Sequence, residues 1–200
     1  MTKKLSILFL LVLTLTVALS ACTGQSPAAN GNTQATLPAV NNGEAGGEGG
    51  VEAALVTYSD AAQSFAIGHP GPWTQDAAFT NGVKFVGGDD WMTLEFVTLA
   101  AGTDAKTYAQ NGVADVTSAF PGFKQVGDIK ASTEVKNAIV LGFTSDGTSA
   151  VTSKTFTAHN ERYYMPLADG RLAILTVYGP ENHYDREGVR DIALTFKVTK

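Results

Sequence analysis

The chain has 200 residues, 44% of them hydrophobic and 16% charged, with a formal net charge of −5. Such a chain is long enough for one domain with room for tails, and its balance is globular rather than disordered. Lys3-Lys4 is the sole basic cluster, which argues against nucleic acid as a partner, and a single cysteine, Cys22, rules out an internal disulfide.

Residues 1–22 read MTKKLSILFLLVLTLTVALSAC. Lys3 and Lys4 precede a nearly unbroken apolar run from Leu5 to Leu19, and small residues follow, which is the plan of a secretory signal peptide. The run is shorter than the roughly 20 residues a spanning helix needs. Its end, LSAC, resembles the lipobox of bacterial lipoproteins. The resemblance implies cleavage before Cys22 and a diacylglycerol on its thiol. Residues 1–21 are then a lipoprotein signal peptide, and the mature chain sits lipid-anchored at the extracytoplasmic face of the cell membrane or outer membrane. Thr23 stands where an aspartate is associated with inner-membrane retention. Without residues 1–21 the chain keeps twelve basic and nineteen acidic residues, a net charge of −7. Anionic headgroups repel such a domain, so it stands off the surface.

Residues 22–54 comprise the lipidated cysteine and a stretch rich in Gly, Asn, Ala and Ser with no aromatic residue. Too little apolar area is available there to offset the entropy of ordering. The stretch reads as a flexible tether with an end-to-end distance of about 30 Å. The globular domain spans residues 55–200.

ALVTYSD and SFAIGHP read as two short strands. In the second, Phe65 and Ile67 point inward. Pro70 and Pro72 end the strand, and Trp73 folds back over the edge of the core. His69, at the strand end, faces either solvent or a partner, and a ligand site using His69 and Trp73 is the lesser reading. GVKFV, Gly87-Gly88-Asp89-Asp90 and WMTLEFVTL read as a hairpin whose Met92, Leu94 and Phe96 face a core. Residues 102–122 predict a helix capped by Thr103 or Asp104, ended by Pro121-Gly122 and weakened by Gly112. FKQVGDIKAS and EVKNAIVLGFTS are strands, and Asp146-Gly147 predicts a two-residue hairpin turn. A second such turn, Asp169-Gly170, would set Leu167 opposite Leu172 and Met165 opposite Ile174. On a strand before it, Tyr163 and Tyr164 point to opposite faces, one to the core and one outward. In the last segment Pro180 suits a first helical turn, and Tyr184, Val189, Ile192, Ala193 and Phe196 form an apolar stripe. The fold class is α+β: an antiparallel β-sheet flanked by helices.

YSDAAQSFAIGHPGPW, ERYYMPLADGRLAILTVYGP and YDREGVRDIALTFKV resemble, in that order, the opening, late hairpin and closing helix of the PsbP/Mog1-like superfamily. The resemblance covers residues 56–198 and implies an α/β/α sandwich. Gly71-Pro72 fills a gap that is usually one or two residues in the family opening. The family also implies accessory or binding proteins rather than enzymes.

No other chemistry stands out. His69, His159 and His183 lack the spacing of a zinc site, and no nucleophile elbow or phosphate loop occurs. Asp89-Asp90 lacks the further oxygen ligands of a calcium loop. No metal site and no cofactor are expected. An enzyme would need His69, Asp89 and Asp90 to converge. The expected function is a membrane-anchored, non-catalytic protein-binding or accessory lipoprotein. The alternative is a carrier of a small ligand or metal, using a pocket between sheet and helix.

Overall fold

The computed structural model describes residues 35–36, 54–182 and 184–199. The expected signal peptide, Cys22, most of the expected tether and His183 lie outside the described residues. The elements run β1 (Ala35–Thr36), β2 (Leu55–Asp60), β3 (Phe65–Pro70), β4 (Thr74–Gln75), β5 (Gly82–Gly87), β6 (Asp90–Thr98), α1 (Ala105–Asn111), α2 (Val113–Ala119), β7 (Lys124–Ala131), β8 (Ile139–Thr148), β9 (Thr155–Pro166), β10 (Arg171–Pro180), α3 (Arg186–Thr195) and β11 (Lys197–Val198). Seven strands form one antiparallel sheet in the order β4-β5-β6-β10-β9-β8-β7. A smaller antiparallel sheet, β1-β2-β3-β11, holds the first strands and the last.

Both faces of the large sheet are covered. On one face, Val83, Phe85, Met92, Leu94, Leu175 and Val177 pack with Phe65 and Ile67 of β3 and with Val189, Ile192 and Ala193 of α3. On the other, Leu141, Phe143, Tyr164, Leu172 and Ile174 pack with Ala105 and Ala109 of α1 and Val116 of α2. Two-sided coverage explains why Tyr163 and Tyr164 are both buried, 4% and 2% exposed. The expectation that one of them is exposed fails because β3 and α3 cover one face and α1 and α2 the other.

The first hairpins follow the sequence reading. Gly88-Asp89 turns β5 into β6, and Asp90 pairs with Gly87. Trp73 packs at the edge of the first core as expected. The helix expected over 102–122 divides at Gly112 into α1 and α2. Asp104 caps α1, its carboxylate accepting from Thr107 N at 2.7 Å.

Three local expectations need correction. Asp146-Gly147 is no turn: these residues continue β8 and pair with Thr157 and Phe156. The chain reverses instead over residues 149–154, where the Ser149 hydroxyl accepts from Val151 N and Thr152 N, at 3.3 and 3.1 Å. Gly147 serves close packing, since a Cβ there would overlap the Tyr178 hydroxyl and the Phe156 ring. The β9–β10 turn is one residue longer than expected. Leu167 N donates to Arg171 O at 2.8 Å, and Gly170 adopts φ 81°. That is a three-residue loop closed by a left-handed glycine. The register slips by one, so Met165 faces Ala173 and Ile174 faces Tyr164, on opposite sides of the sheet. Pro180 is not helical: it ends β10 opposite Ala158, and α3 follows Asp185, whose carboxylate accepts from Gly188 N at 3.1 Å.

Candidate functional site

A cleft of about 430 Å³ lies between the second face of the large sheet and the helices α1 and α2. Register builds its floor. Thr93 of β6, Thr176 of β10 and Arg162 of β9 stand in one cross-strand row. The next row toward one end is Trp91–Tyr178, and toward the other Glu95–Ile174–Tyr164. Tyr108, Asp115 and Phe120, on or next to α1 and α2, contribute to the opposite wall.

The aromatic end is stacked. The Trp91 and Tyr178 rings stack at 4.8 Å and 11°, with Phe120 6.2 Å from Trp91. Burial raises the Tyr178 phenol above its ordinary range, and the charges of Asp89 and Asp90 add to this. At the centre, the Arg162 guanidinium reaches Glu95 at 3.5 Å and lies 5.8 Å from the centroid of the Tyr164 ring. Burial raises the Tyr164 phenol, while Arg162 acts in the opposite direction. Two floor atoms have no hydrogen-bond partner within the protein: Thr176 Oγ1, on a residue 1% exposed, and Arg162 Nε.

The residues singled out from sequence lie elsewhere. His69 is not at the surface. It is 4% exposed, its ring stacks on Phe85 at 3.9 Å and 12°, and Nδ1–H donates to the Pro70 carbonyl at 2.9 Å. Burial lowers its basicity, with the Pro70 bond acting the other way. Trp73 packs against the first core and not in the cleft. Asp89 accepts from Ala150 N at 3.0 Å, so His69 and Asp89 are held by different neighbours. His159 sits beside Glu181 at 3.3 Å and Tyr184, away from both. Among the described residues no three His, Cys, Asp or Glu are grouped to hold a metal. None is long and apolar enough as a helix to cross a membrane, again among the described residues.

Trp91, Arg162 and Thr176 escape sequence reading. Their one signal is a threonine inside an otherwise apolar strand, RLAILTVYG.

No family model matches the chain, and no curated protein does. Among solved structures it is similar to the Ran-binding protein Mog1p of Saccharomyces cerevisiae, with a TM-score of 0.52 over 73% of this chain and 96% of that one. The fold is Mog1-like. At 8% identity the likeness to Mog1p concerns the fold and not the residues of any site. A weaker likeness is to LpqN of Mycobacterium tuberculosis, a protein involved in cell envelope biogenesis. Its TM-score is 0.47 at 13% identity, over 68% of this chain and 83% of LpqN. The Mog1-like fold agrees with the α+β sandwich implied by the sequence resemblance.

Proposed function

We propose that the chain is an extracytoplasmic lipoprotein, anchored through Cys22, that works as a non-catalytic binding module for a protein partner. The cleft over the second sheet face is its contact site. The observation that carries this reading is that two residues lining the cleft, Thr176 and Arg162, hold buried side-chain atoms, Oγ1 and Nε, without partners in the protein. Buried polar groups are ordinarily matched, so an unmatched pair in a cleft suits an incoming partner. The anchor and its membrane rest on LSAC after the apolar run. Reach beyond the headgroups comes to the acidic domain from the stretch after Cys22, within which Ala35–Thr36 pair with Thr57 and Val56 as β1. Within the cleft, Arg162 and Glu95 engage each other at 3.5 Å, an arrangement that suits recognition. Mog1p, of the same fold, is described as a Ran-binding protein, which supports use of this fold to bind proteins.

A second reading, a small-ligand carrier, is favoured by the cleft volume, which falls in the range of about 300–1,000 Å³ typical of such sites. One experiment separates the two. A photo-crosslinking residue replaces Ala119 beside the cleft or, as control, Lys130 on β7, and the lipidated protein is irradiated in native membranes. A discrete protein adduct from position 119 and none from position 130 supports the partner reading. A small-molecule adduct at 119 supports the carrier. Equal adducts from both positions overturn the assignment of the cleft.

A further inference from the structure

The two unmatched floor atoms define the chemistry of what binds. Thr176 and Arg162 are direct cross-strand partners on β10 and β9, so their side chains leave the sheet on the same face as neighbours. An arginine Nε–H only donates, whereas a threonine hydroxyl both accepts and donates. The ligand must therefore bring an acceptor to Arg162, and at Thr176 a second polar atom of either kind serves.

Charge narrows the choice. The guanidinium is already turned to Glu95 at 3.5 Å, and Asp115 also lines the cleft. An anionic ligand on Arg162 would meet two carboxylates, and a cationic one, which carries only donors, would leave the Arg162 Nε–H without an acceptor. An uncharged group meets neither penalty. A primary carboxamide presents an acceptor oxygen and a donor N–H side by side. Beyond the polar row, Trp91, Tyr108 and Phe120 offer ring surface to a flat apolar body.

We infer that the cleft binds an uncharged primary carboxamide next to a flat apolar group, its carbonyl oxygen on Arg162 Nε and its N–H on Thr176 Oγ1. The inference rests on the binding role given to this cleft above and specifies what that role recognises. The carboxamide is a primary one, carried either by an Asn or Gln side chain of a protein partner or by a small molecule, and the adduct formed at position 119 tells these sources apart.

The test uses isosteric probes: benzamide, benzoate and benzamidinium. The full-length protein, in detergent micelles, carries 5-fluorotryptophan at both tryptophans, and fluorine NMR follows each titration. Trp91 reports on the cleft, and Trp73, on the other core, is the internal control. Benzamide should shift the Trp91 signal alone, in the millimolar range, with a dissociation constant at least fivefold below those of both charged probes. Thr176→Val should remove that preference with the fold intact, and Arg162→Lys should do the same while keeping a cation beside Glu95. No shift of Trp91, a charged probe that binds as well as benzamide, or a preference that survives both substitutions would overturn the inference. These results are independent of any natural partner. A cleft that captures a protein but does not prefer benzamide refutes the carboxamide alone. A preference for benzamide with no crosslinked protein refutes the partner alone.

Discussion

Replacing His69 by alanine should destabilise the domain and flatten part of its pH response. The ring is 4% exposed and stacks face to face on Phe85 at 3.9 Å. Truncating a buried side chain of this size costs about 2–5 kcal/mol, and a stacked ring pair contributes about 0.5–1.5 of that kind of energy. Imidazole is smaller and more polar than phenyl, which places His69→Ala near the lower end, about 2–3 kcal/mol. For a domain of this size each kcal/mol moves the melting temperature by roughly 2–4 °C, so a loss of about 4–12 °C is expected near pH 7.5. The pH term has a definite sign. Burial lowers the folded-state pKa of His69, so on acidification the unfolded chain takes up a proton that the folded chain resists. Stability from this group is complete above the ordinary imidazole pKa of about 6.5 and declines below it, by at most about 1.4 kcal/mol per pH unit, until the folded pKa is reached. Thermal melts followed by circular dichroism from pH 8 to 5 measure both effects. The gap between parent and His69→Ala should narrow below pH 6.5. A variant that melts within 1 °C of the parent at pH 7.5 (about 0.5 kcal/mol or less), or parallel profiles across the whole range, would refute the buried-neutral reading.

Thr176→Val removes a buried hydroxyl that has no partner in the protein, and should raise stability by about 1 kcal/mol. A lower melting temperature would mean that the hydroxyl is satisfied internally. Gly147→Ala should cost about 1–3 kcal/mol by overpacking, and should change tryptophan fluorescence because the displaced Tyr178 ring is stacked on Trp91. An unchanged emission spectrum would disprove that coupling. Trp73→Ala should cost about 2–3 kcal/mol, less than a fully buried tryptophan, because the indole caps the core edge instead of filling it. Urea denaturation would expose an error here as an unshifted midpoint. Cys22→Ser should abolish acylation and release the protein from the membrane fraction. Mass spectrometry showing an unmodified Cys22 within an intact N-terminus in the parent would sink the anchor.

Much of the fold was legible because short-range signals agreed with the final packing. Gly87-Gly88-Asp89-Asp90 marks a real turn, and the alternation of Met92, Leu94 and Phe96 marks the face that meets β3 and α3. The stripe of Val189, Ile192 and Ala193 likewise declares the buried side of α3. Failures came where a distant neighbour overruled a local signal. Asp146-Gly147 has turn chemistry, but Phe156 and Tyr178 press on Gly147 and require a residue without a side chain inside a strand. His69 looked like a strand end because two prolines follow, yet Phe85 from β5 covers it. The cleft was the least legible part. Trp91, Arg162 and Thr176 come from three strands, and only the pairings β6–β10 and β10–β9 bring them side by side. The one-residue slip at the β9–β10 loop shows how sensitive that juxtaposition is, since each slip exchanges the faces.

The break at Gly112 gives the cleft a time scale as well as a shape. Each of the two helices is seven residues long, well under the roughly 12–15 at which a helix becomes even marginally stable alone. Both are therefore held by their contacts with the sheet. α1 buries Ala105 and Ala109, whereas α2 buries Val116 alone. In α2, Thr117 and Ser118 also turn their hydroxyls back onto carbonyls four residues earlier, a pattern that slightly weakens a helix. Fraying of this one short segment would open the outer wall while the seven-stranded sheet stays closed. Amide exchange along α2 would run far ahead of exchange in β9 and β10. Capture and release would be paced by that segment's private melting equilibrium, and an occupant resting on Phe120 would slow its own departure.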